Sequence, residues 1–570
     1  MGPYSEQTIA DYREAGLWGT LSIPVLFARN ARATPDRTAV VDPANRAALA
    51  DGEPQRLTYA EMLRAVDGLA ATFRADGIGR GDIVLVQMPN ICELTVVYLA
   101  AASIGAIVSP VPVQYRTREL AAIVRLVAPR AFCTVTRFGR TRLAEQFVSG
   151  TAFDGIVYAA GIGLPDGARD LAAAIAGPSD STPGPRNADP DSIFSICWTS
   201  GTEGQPKAVP KTHNNWLCSS ASASEASRLE PGDALLVPFP FVNAASIGGL
   251  MMPWLRIGGT LVLHHPFDFD VFLDQIVAER VRYTIVAPAL LASILQRDTD
   301  DRVARALALV RAVGTGSAPP DPSHVAAFEQ RFDISVTNIF GSNEGVQLAS
   351  SRAAVPDPAI RSRLFPRSGD IAWHQGERTA NGCRFKLTDP ESGAPVTLPG
   401  KAGEMRIAGP SVFPGYYSAD GYDRSMFDAD GFFRTGDLFE IVDDGDDARY
   451  VRFVGRSKEL IVRGGMKIAP AEIDALLAAH PDVAEGAATA YFDERLGERV
   501  CAVVVPVEGR TVTLASIVAH CEREGLAAFK WPERLLIVDA LPRNPLAKVQ
   551  RARLREVVEA DFATQAQRSA

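Results

Sequence analysis

The sequence is poor in the residues that build metal clusters and disulfide frameworks. It holds 7 cysteines in 570 residues, and no two of them stand in a CxxC spacing. A zinc ribbon needs paired thiolates, and a small secreted domain held by disulfides needs a dense, even set of cysteines. Neither is indicated, and we expect reduced thiols in a cytoplasmic protein. The 7 histidines are also dispersed, and the adjacent pair His264 and His265 would point in different directions on a strand.

An excess of positive charge is lacking as well. The formal net charge is −9, which argues against nucleic acid or an anionic membrane as the main partner, although a local basic tunnel is compatible with it. With 47% hydrophobic and 22% charged residues, the composition is that of an ordinary globular protein. A chain of 570 residues is too long for one core, so two or more domains are expected.

Long uncharged runs are rare. Leu94 to Val113 is long enough for a membrane helix by length alone. Gly105, Pro110 and Pro112 lie within it, which favours a buried helix followed by a buried strand, and no membrane span is expected. The first 13 residues carry Glu and Asp and no apolar core, so we expect no signal peptide.

Most of the chain shows the strand–helix alternation of a parallel α/β sheet. Leu57 to Gly77 opens with a capping box and carries apolar residues at helical spacing, and Asp82 to Pro110 is predicted to be strand, helix, strand. Two later strands, Leu307 to Pro320 and Ile334 to Phe340, end in Gly/Ser loops. Ligands bind outside the carboxyl ends of such strands, so these loops are expected to line one crevice.

Trp198 to Lys207, WTSGTEGQPK, is the stretch around which a ligand site is expected. The run Asp191 to Trp198 has the composition of a buried strand, which predicts that the Thr/Ser/Gly segment is the loop leaving it. Glycines let backbone N–H groups converge, hydroxyls add donors and Lys207 adds a positive charge, a set that suits a polyphosphate. It is not a Walker A loop, because a proline precedes the lysine and no Ser or Thr follows it. In isolation, an ordinary turn explains the same residues equally well.

The last third of the chain follows a different pattern. Gly403 to Gly409 and Arg449 to Gly455 are strand-like with alternating charge, which predicts a small antiparallel lobe. Beyond Gly455, strands and helices repeat over roughly a hundred residues, the size of a compact α+β domain. The predicted fold class is α/β, with a large N-terminal domain of two α/β lobes plus a small β lobe, and a small mobile α+β C-terminal domain.

Six motifs occur in order: WTSGTEGQPK, GTGSAPP, NIFGSNEG, FFRTGDL, GRSKELIVRGGMKIAPAEI and LPRNPLAKVQR. With these motifs the chain resembles the acyl-adenylate-forming (AMP-binding) superfamily over nearly its whole length. That group contains acid–CoA ligases, aryl-acid–AMP ligases, peptide-synthetase adenylation domains and beetle luciferases. The resemblance implies an adenylation domain at 1–457, a lid domain at 458–570, and the reaction of a carboxylate with ATP to acyl-AMP and pyrophosphate.

The resemblance also implies roles for individual residues. Attack of a carboxylate on the α-phosphate brings two anions together, so the site must gather positive charge and donors. Lys548 would contact the carboxylate and the α-phosphate, Glu344 would hold Mg²⁺, and Thr199 would open the phosphate loop. The residues implied to bind ATP or CoA are Ser200, Gly201, Thr202, Gly204, Lys207, Gly316, Ser317, Ala318, Phe340, Gly341, Asn343, Asp437, Arg456, Lys458, Gly464 and Gly465.

Within that set, Phe340 would lie against adenine, and Asp437 with Arg456 would bind the ribose. Lys458 falls at the hinge position of the family, and the mobile lid would carry Lys548 in and out of the site. The Gly464-Gly465 turn would leave room for the pantetheine arm of CoA or of a carrier protein. In isolation, a surface carboxylate is the favoured interpretation of Glu344, and a simple strand turn is the alternative interpretation of the two glycines.

Three positions depart from the pattern of the family. Glu203 stands where most members have Ser or Thr, and it is predicted to point away from phosphate or to help hold a metal. Asn343 occupies the usual threonine position but keeps an amide donor. Asn243 stands beside the acid pocket, where many members carry histidine.

The acid pocket is expected to be uncharged. A neutral lining favours an acid with a ring or a short apolar chain over an amino acid. Several stretches look most like aryl-acid–AMP ligases and cyclic-acid–CoA ligases, so we expect an acid–CoA ligase, with carrier-protein phosphopantetheine as the alternative acceptor. The implied acid-binding residues are Asn243, Ala244, Ile247, Gly314, Ser342 and Val346.

Two other classes were compared with this interpretation. A luciferase-like oxygenase would use the same adenylate, but nothing in the sequence marks an oxygen-handling step. A non-catalytic nucleotide sensor is disfavoured because both Lys548 and Glu344 are present. A homodimer is compatible with the resemblance.

Overall fold

The computed structural model describes residues 2–177, 188–200, 206–297, 300–316, 318–367, 383–418, 420–442, 449–464, 466–493, 495–544 and 548–569. Five predicted site residues lie outside these ranges: Gly201, Thr202, Gly204, Ser317 and Gly465. Glu203 lies outside them too, and so does the side chain of Ser200. The chain forms two compact units, Met1–Arg384 with Ile407–Phe433, and Phe385–Arg406 with Arg434–Ala570.

The α-helices are α1 Glu6–Glu14, α2 Ile23–Ala33, α3 Arg46–Leu49, α4 Tyr59–Ala75, α5 Cys92–Ser103, α6 Thr117–Val127, α7 Leu143–Gly150, α8 Leu171–Ala176, α9 His213–Ala226, α10 Met252–Ile257, α11 Phe269–Glu279, α12 Pro288–Leu295, α13 Asp301–Leu307, α14 Pro322–Phe332, α15 Pro358–Arg361, α16 Pro470–Ala479, α17 Leu514–Arg523 and α18 Arg551–Ser569. A π-helical turn covers Ile247–Met251, and 3₁₀ turns cover Ser457–Glu459 and Ala528–Lys530.

The strands are β1 Thr38–Val41, β2 Arg56–Thr58, β3 Ile83–Gln87, β4 Ile107–Pro110, β5 Ala131–Val135, β6 Ile156–Ala160, β7 Arg169–Asp170, β8 Ile193–Ser200, β9 Pro206–Thr212, β10 Ala234–Val237, β11 Thr260–Leu263, β12 Val281–Val286, β13 Ala312–Gly316, β14 Ser335–Gly341, β15 Gln347–Ser350, β16 Leu364–Pro366, β17 Arg384–Thr388, β18 Ala402–Ala408, β19 Tyr416–Ser418, β20 Gly421–Asp423, β21 Phe433–Val442, β22 Tyr450–Arg456, β23 Ile461–Arg463, β24 Met466–Ile468, β25 Val483–Asp493, β26 Gly497–Pro506 and β27 Arg534–Ile537.

The first unit is built on two mostly parallel sheets. One has the order β15-β14-β13-β12-β10-β11-β1-β2, and the other has the order β7-β6-β5-β3-β4-β8-β9. Antiparallel pairing occurs at their edges, in β14–β15, β1–β2 and β8–β9. A shared apolar core joins residues of both sheets to α4 and α5. This arrangement confirms the predicted parallel α/β class.

The uncharged run is a core helix followed by a strand, as predicted. Helix α5 is buried along its full length and ends at Ser103, and β4 then pairs in parallel with β3. No helix in the described ranges is both long and apolar enough to cross a membrane.

Helix α4 forms where local signals agree. Thr58 and Glu61 make the predicted capping box, in which the Glu61 carboxylate accepts from the Thr58 N–H at 2.8 Å. Gly68 lets α8 approach closely, since a Cβ there would stand 2.2 Å from the Ile175 carbonyl oxygen.

One predicted strand boundary is wrong. The stretch that opens at Leu307 begins with the end of α13, and β13 starts only at Ala312.

The second unit contains two β structures. Strands β22, β21, β18 and β17 are neighbours in that order, and β21 pairs antiparallel with β22. The C-terminal part has a sheet of order β24-β23-β26-β25, with β27 parallel to β26. Apolar side chains of α16 and α17 join one core of this sheet, and those of α18 join another. The antiparallel lobe and the α+β domain are both confirmed, whereas the division at 457/458 stays a prediction.

Candidate active site

The phosphate-like segment begins and ends in a β-hairpin. Thr199 pairs with Lys207 and Ser200 pairs with Pro206 across β8 and β9. The prediction of a loop over 199–207 is therefore wrong at both ends, because ladder hydrogen bonding extends the strands to these residues. Opposite residues of an antiparallel pair share one face, so Thr199 and Lys207 lie on the same side of the hairpin.

One face of the hairpin meets Glu344 through an aromatic ring. The Lys207 ammonium lies 4.7 Å from the ring centroid of Tyr416, and the Tyr416 hydroxyl donates to the Glu344 carboxylate at 3.1 Å. The Glu344 residue is only 9% exposed. A cation and a nearly buried carboxylate thus flank one tyrosine, an arrangement suited to a polyphosphate with its metal ion.

Asn343 joins three of the predicted segments. Its amide nitrogen donates to the Trp198 carbonyl at 3.4 Å, and its amide oxygen accepts from the Ala244 N–H at 2.8 Å. The end of β8, the FGSNEG segment and the predicted acid-pocket loop therefore meet at a buried side chain. This contact joins the end of β8 to the FGSNEG segment, whereas one crevice lined by all the Gly/Ser loops stays a prediction.

Two other predicted loops follow adjacent parallel strands. Strands β13 and β14 are in register, with Gly316 opposite Ile339. A Cβ at Gly314 would stand 2.7 Å from the Tyr283 hydroxyl, and one at Gly316 would stand 2.6 Å from the Ile339 carbonyl oxygen. Close packing thus accounts for both glycines. After the strands, Ala318 is exposed, Gly341 ends β14, and the Phe340 ring lies edge-on to Phe365 at 6.2 Å.

Five of the predicted acid-pocket residues lie in two segments of the chain, 243–247 and 342–346. The Asn243 side-chain oxygen accepts from the N–H groups of Ala245 and Ser246, at 3.0 and 3.2 Å, just before the π-helical turn. Ile247 and Val346 are buried, while Ala244 is half-buried. Ser342 donates its N–H to the Val346 carbonyl at 3.1 Å in the turn after β14.

The predicted ribose residues lie together in the second unit. Asp437 and Arg456 are paired in register across β21 and β22, with the guanidinium Nε 3.2 Å from the carboxylate. Asp437 is 4% exposed and its N–H donates to the Thr435 hydroxyl at 3.1 Å. The two predicted ribose residues therefore form one charged pair across these strands.

The predicted lid residues occupy turns of the same unit. Lys458 lies in the 3₁₀ turn Ser457–Glu459. Lys548 is exposed, and its backbone is fixed to Asn544 by two hydrogen bonds of 2.8 and 3.0 Å. Gly464 adopts a φ of +55° in the β23–β24 turn and donates its N–H to the Leu496 carbonyl at 2.7 Å. The left-handed backbone there favours glycine.

Sequence reasoning missed two residues of this region. Tyr416 is the last residue of the stretch SVFPGY, to which the sequence analysis assigned no role. Lys211 lies four residues after Lys207 on β9 and is completely buried. Its ammonium lies 4.6 Å from the ring centroid of Trp216 and makes no hydrogen bond to any described residue. Burial lowers the pKa of Lys211 to about 8. The signal was a lysine inside an otherwise apolar strand.

Glu344 is the one carboxylate of this region that is proposed to hold a metal ion. Among the described residues there is no group of three or more His, Cys, Asp or Glu arranged to hold a metal ion. Mg²⁺ is commonly held by one or two carboxylates plus substrate phosphates, so Glu344 alone fits that ion. All seven cysteines are described and unpaired, as expected.

Comparisons with known proteins agree with this geometry. The family model "AMP-binding enzyme" matches residues 27–417, and "AMP-binding enzyme C-terminal domain" matches 472–548. The ATP-bound crystal structure of MatB from Rhodopseudomonas palustris superposes with a TM-score of 0.77 at 27% identity, covering 94% of this chain and 99% of that one.

Three curated relatives span nearly the whole chain. The medium-chain fatty-acid–CoA ligase of Escherichia coli K12 is 32% identical over 97% of this chain and 93% of its own. The indoleacetate–CoA ligase of Aromatoleum aromaticum is 31% identical, over 89% and 94%. The salicyl-AMP ligase / salicyl-S-ArCP synthetase of Mycobacterium tuberculosis is 28% identical, over 96% and 93%. Together with the six motifs, these matches show that the chain belongs to the AMP-binding enzyme family.

Proposed function

We propose that the protein is an acid–CoA ligase for an aromatic or cyclic carboxylic acid. Membership of the family makes it an ATP-dependent, AMP-forming ligase. The observation that carries the proposal is the convergence of Lys207 and Glu344 on Tyr416, beside the end of β8. The Lys207 cation, and a metal ion on Glu344, would offset the negative charges of the carboxylate and the triphosphate, which otherwise repel each other.

The first step is adenylation. A carboxylate oxygen forms a bond to the α-phosphorus, the bond from that phosphorus to the α,β-bridging oxygen breaks, and pyrophosphate leaves. Lys207 and the segment Thr199, Ser200, Gly201, Thr202 and Gly204 would hold the phosphates. Mg²⁺, held by Glu344, would supply positive charge to the phosphate oxygens. Lys548 would stabilise the charge that develops on the attacked phosphate.

The base and the ribose of the nucleotide are proposed to be held by different residues. The Phe340 ring would lie against adenine, with the backbone of Gly316, Ser317 and Ala318 on its other side. Asp437 would accept from a ribose hydroxyl, and Arg456 lies beside that carboxylate. Asn343 would donate an amide hydrogen to the α-phosphate.

The second step is thioester formation. The thiol sulfur of CoA would attack the acyl carbon of acyl-AMP, and AMP would leave with the bonding electrons of the C–O bond. We propose that residues 458–570 act as a lid that turns at Lys458, withdrawing Lys548 and presenting the Gly464-Gly465 turn to the pantetheine arm. A turn without side chains gives that arm room.

The acid is proposed to have a neutral ring. The residues Asn243, Ala244, Ile247, Gly314, Ser342 and Val346 carry no charge. The indoleacetate and salicylate relatives are named for aromatic acids, which supports the choice, whereas another relative is named for medium-chain fatty acids. The alternative acceptor is a carrier-protein phosphopantetheine, which the salicyl-S-ArCP synthetase relative favours. We propose a cytoplasmic location, which suits the seven unpaired thiols. A measurement of the molecular mass in solution tests whether the protein is a homodimer.

The test is pyrophosphate release with a panel of benzoic, cyclohexane, phenylpropenoic and medium-chain fatty acids, run with and without CoA. We expect a ring acid to be turned over best and a thioester to form when CoA is added. Turnover that is confined to fatty acids would contradict the proposed acid. Adenylation without any CoA thioester, together with loading of a carrier protein, would replace the proposed acceptor by the alternative.

A further inference from the structure

The N-terminal segment is tied to the part of the chain that holds Glu344. We call residues Tyr4 to Trp18, which include α1, the N-terminal clasp. Its two ends bear aromatic rings in edge-to-face contact, with the centroids of Tyr4 and Trp18 5.0 Å apart. Trp18 is 3% exposed. The proposed chemistry leaves this segment without a role.

The side chains of Tyr4 and Trp18 both donate to one distant loop, residues 410–413. The Trp18 indole N–H donates to the Pro410 carbonyl at 3.1 Å, and the Tyr4 hydroxyl donates to the Val412 carbonyl. Asn215 completes the contact, since its amide nitrogen donates to the Pro410 carbonyl at 2.7 Å. Three side chains therefore fix the carbonyl groups of a short loop without secondary structure.

The loop in turn fixes the backbone of the proposed metal residue. The Phe413 N–H donates to the Glu344 carbonyl at 2.9 Å, and the Ser411 hydroxyl donates to the Gly345 carbonyl at 3.0 Å. The approach is close, because a Cβ at Gly345 would stand 2.4 Å from the Ser411 carbonyl oxygen. A shift of the loop would therefore move Glu344.

The clasp is itself anchored beside β8 and α9. Arg13 forms an ion pair with Asp191, and Asp191 accepts from the Asn214 amide at 2.8 Å. Asn214 exchanges two hydrogen bonds of 3.1 Å with the backbone of Gly19. The clasp thus spans from the first strand of the hairpin to the loop behind Glu344.

We propose that Tyr4 and Trp18 are positioning residues for the Glu344 carboxylate, acting through the loop 410–413. The inference rests on the proposed function, in which Glu344 holds Mg²⁺. Two features separate this role from simple stabilisation. The Pro410 carbonyl keeps the Asn215 amide nitrogen as its donor when the Trp18 N–H is removed. The Val412 carbonyl accepts from the same amide nitrogen at 3.4 Å. Neither carbonyl is left without a donor. Removing the Tyr4 or Trp18 donor should therefore change the position of the loop more than the stability of the fold.

The experiment compares three variants of the full-length protein. Tyr4→Phe and Trp18→Phe each remove one donor to the loop. Tyr12→Phe is the matched control: its ring lies 4.9 Å from Trp18 in the same clasp, but its hydroxyl makes no hydrogen bond to a described residue. The readout is the free Mg²⁺ concentration for half-maximal pyrophosphate release at saturating ATP and acid. We expect it to rise about threefold to tenfold in the two clasp variants, as the loss of one hydrogen bond predicts, and to stay unchanged in the control.

Glu344→Gln is measured in parallel. If it shifts the Mg²⁺ requirement and both clasp variants do not, the positioning role is overturned while the proposed function stands. If Glu344→Gln leaves the Mg²⁺ requirement unchanged, the proposed role of Glu344 fails and the inference falls with it. An equal rise in the KM for the acid would also overturn the inference, because general loosening would then explain the effect. If Trp18→Phe lowers the melting temperature, Tyr4→Phe decides, since it removes a single oxygen atom.

Discussion

Arg551 and Glu459 form an ion pair of 2.8 Å that links the start of α18 to the proposed hinge. Glu459 follows Lys458, and Arg551 stands three residues after Lys548. Arg551 also pairs with Asp474 and donates to the Ala488 carbonyl at 2.6 Å. Side chains therefore tie the turn that carries Lys548, the proposed adenylation lysine, to the proposed hinge and to the core of the second unit.

Removing the charge of Glu459 should loosen the Lys548 turn. In Glu459→Gln we expect kcat for adenylation to fall about threefold to tenfold, the effect of one charge-assisted hydrogen bond, with little change in the KM for ATP. The measurement is a single-turnover assay of acyl-AMP formation. Glu559→Gln is the matched control, since it breaks an exposed pair with Arg555 of 3.0 Å on the same helix. Equal losses in both variants would contradict the link.

Tyr416 should set the metal requirement directly. Tyr416→Phe removes the donor to Glu344 and keeps the ring under Lys207. We expect the half-saturating Mg²⁺ concentration to rise about threefold to tenfold, as the loss of one hydrogen bond to a charged group predicts. Tyr417→Phe on the same strand is the control, because no hydrogen bond of its hydroxyl to a described residue is present. The same shift in both variants would contradict the role of Tyr416.

Asp437 should discriminate between nucleotides with and without ribose hydroxyls. In the original protein, deoxy analogues of ATP should bind at least tenfold more weakly than ATP, because they leave the buried Asp437 carboxylate without its hydroxyl partner. In Asp437→Asn that carboxylate is gone, so the ratio should shrink towards one. The measurement is KM for ATP, 2′-deoxy-ATP and 3′-deoxy-ATP. Glu440→Gln, which breaks a second ion pair between the same strands, should preserve the ratio. An unchanged ratio in Asp437→Asn would contradict ribose binding.

Lys211 should make stability depend on pH. Its pKa falls from 10.5 to about 8 on burial, so the unfolded chain binds more protons than the folded one between these values. The free energy of unfolding should therefore rise with pH in that window, by on the order of 3 kcal/mol for a fully buried group. Lys211→Met should lose this rise and be stabilised relative to the original protein most at pH 7. Urea unfolding from pH 7 to 10 measures it, and parallel curves for the two proteins would contradict it.

The sequence predicted those parts of the fold in which local signals agree. Helix α4 has a capping box and a helical apolar pattern, and both appear in the structure. Trp198 near the end of β8 and Asn343 after β14 are in contact, at the carboxyl ends of strands, where a general rule about parallel sheets places ligand sites. These features depend on short stretches whose pattern is legible without their partners.

Features that depend on distant partners were not predictable. Tyr4 meets Val412 across 408 residues, and no local period indicates which carbonyl it will reach. The facing ends of β8 and β9, residues 199–200 and 206–207, were expected to belong to a loop, because Gly, Ser and Thr are typical of turns and the pairing of these ends is not visible in the local sequence. The burial of Lys211 likewise depends on Trp216 and on how α9 packs, which residue type alone does not show.

The central claim is that Lys548 serves adenylation and then withdraws before thioester formation. The most direct measurement compares the original protein with Lys548→Ala in two separate reactions, acyl-AMP formation from acid and ATP, and thioester formation from synthetic acyl-AMP and CoA. Our account predicts that adenylation falls by at least about a hundredfold, as for loss of a group that stabilises transition-state charge, while thioester formation keeps its rate. Adenylation at the original rate in Lys548→Ala, or equal loss in both reactions, would contradict it.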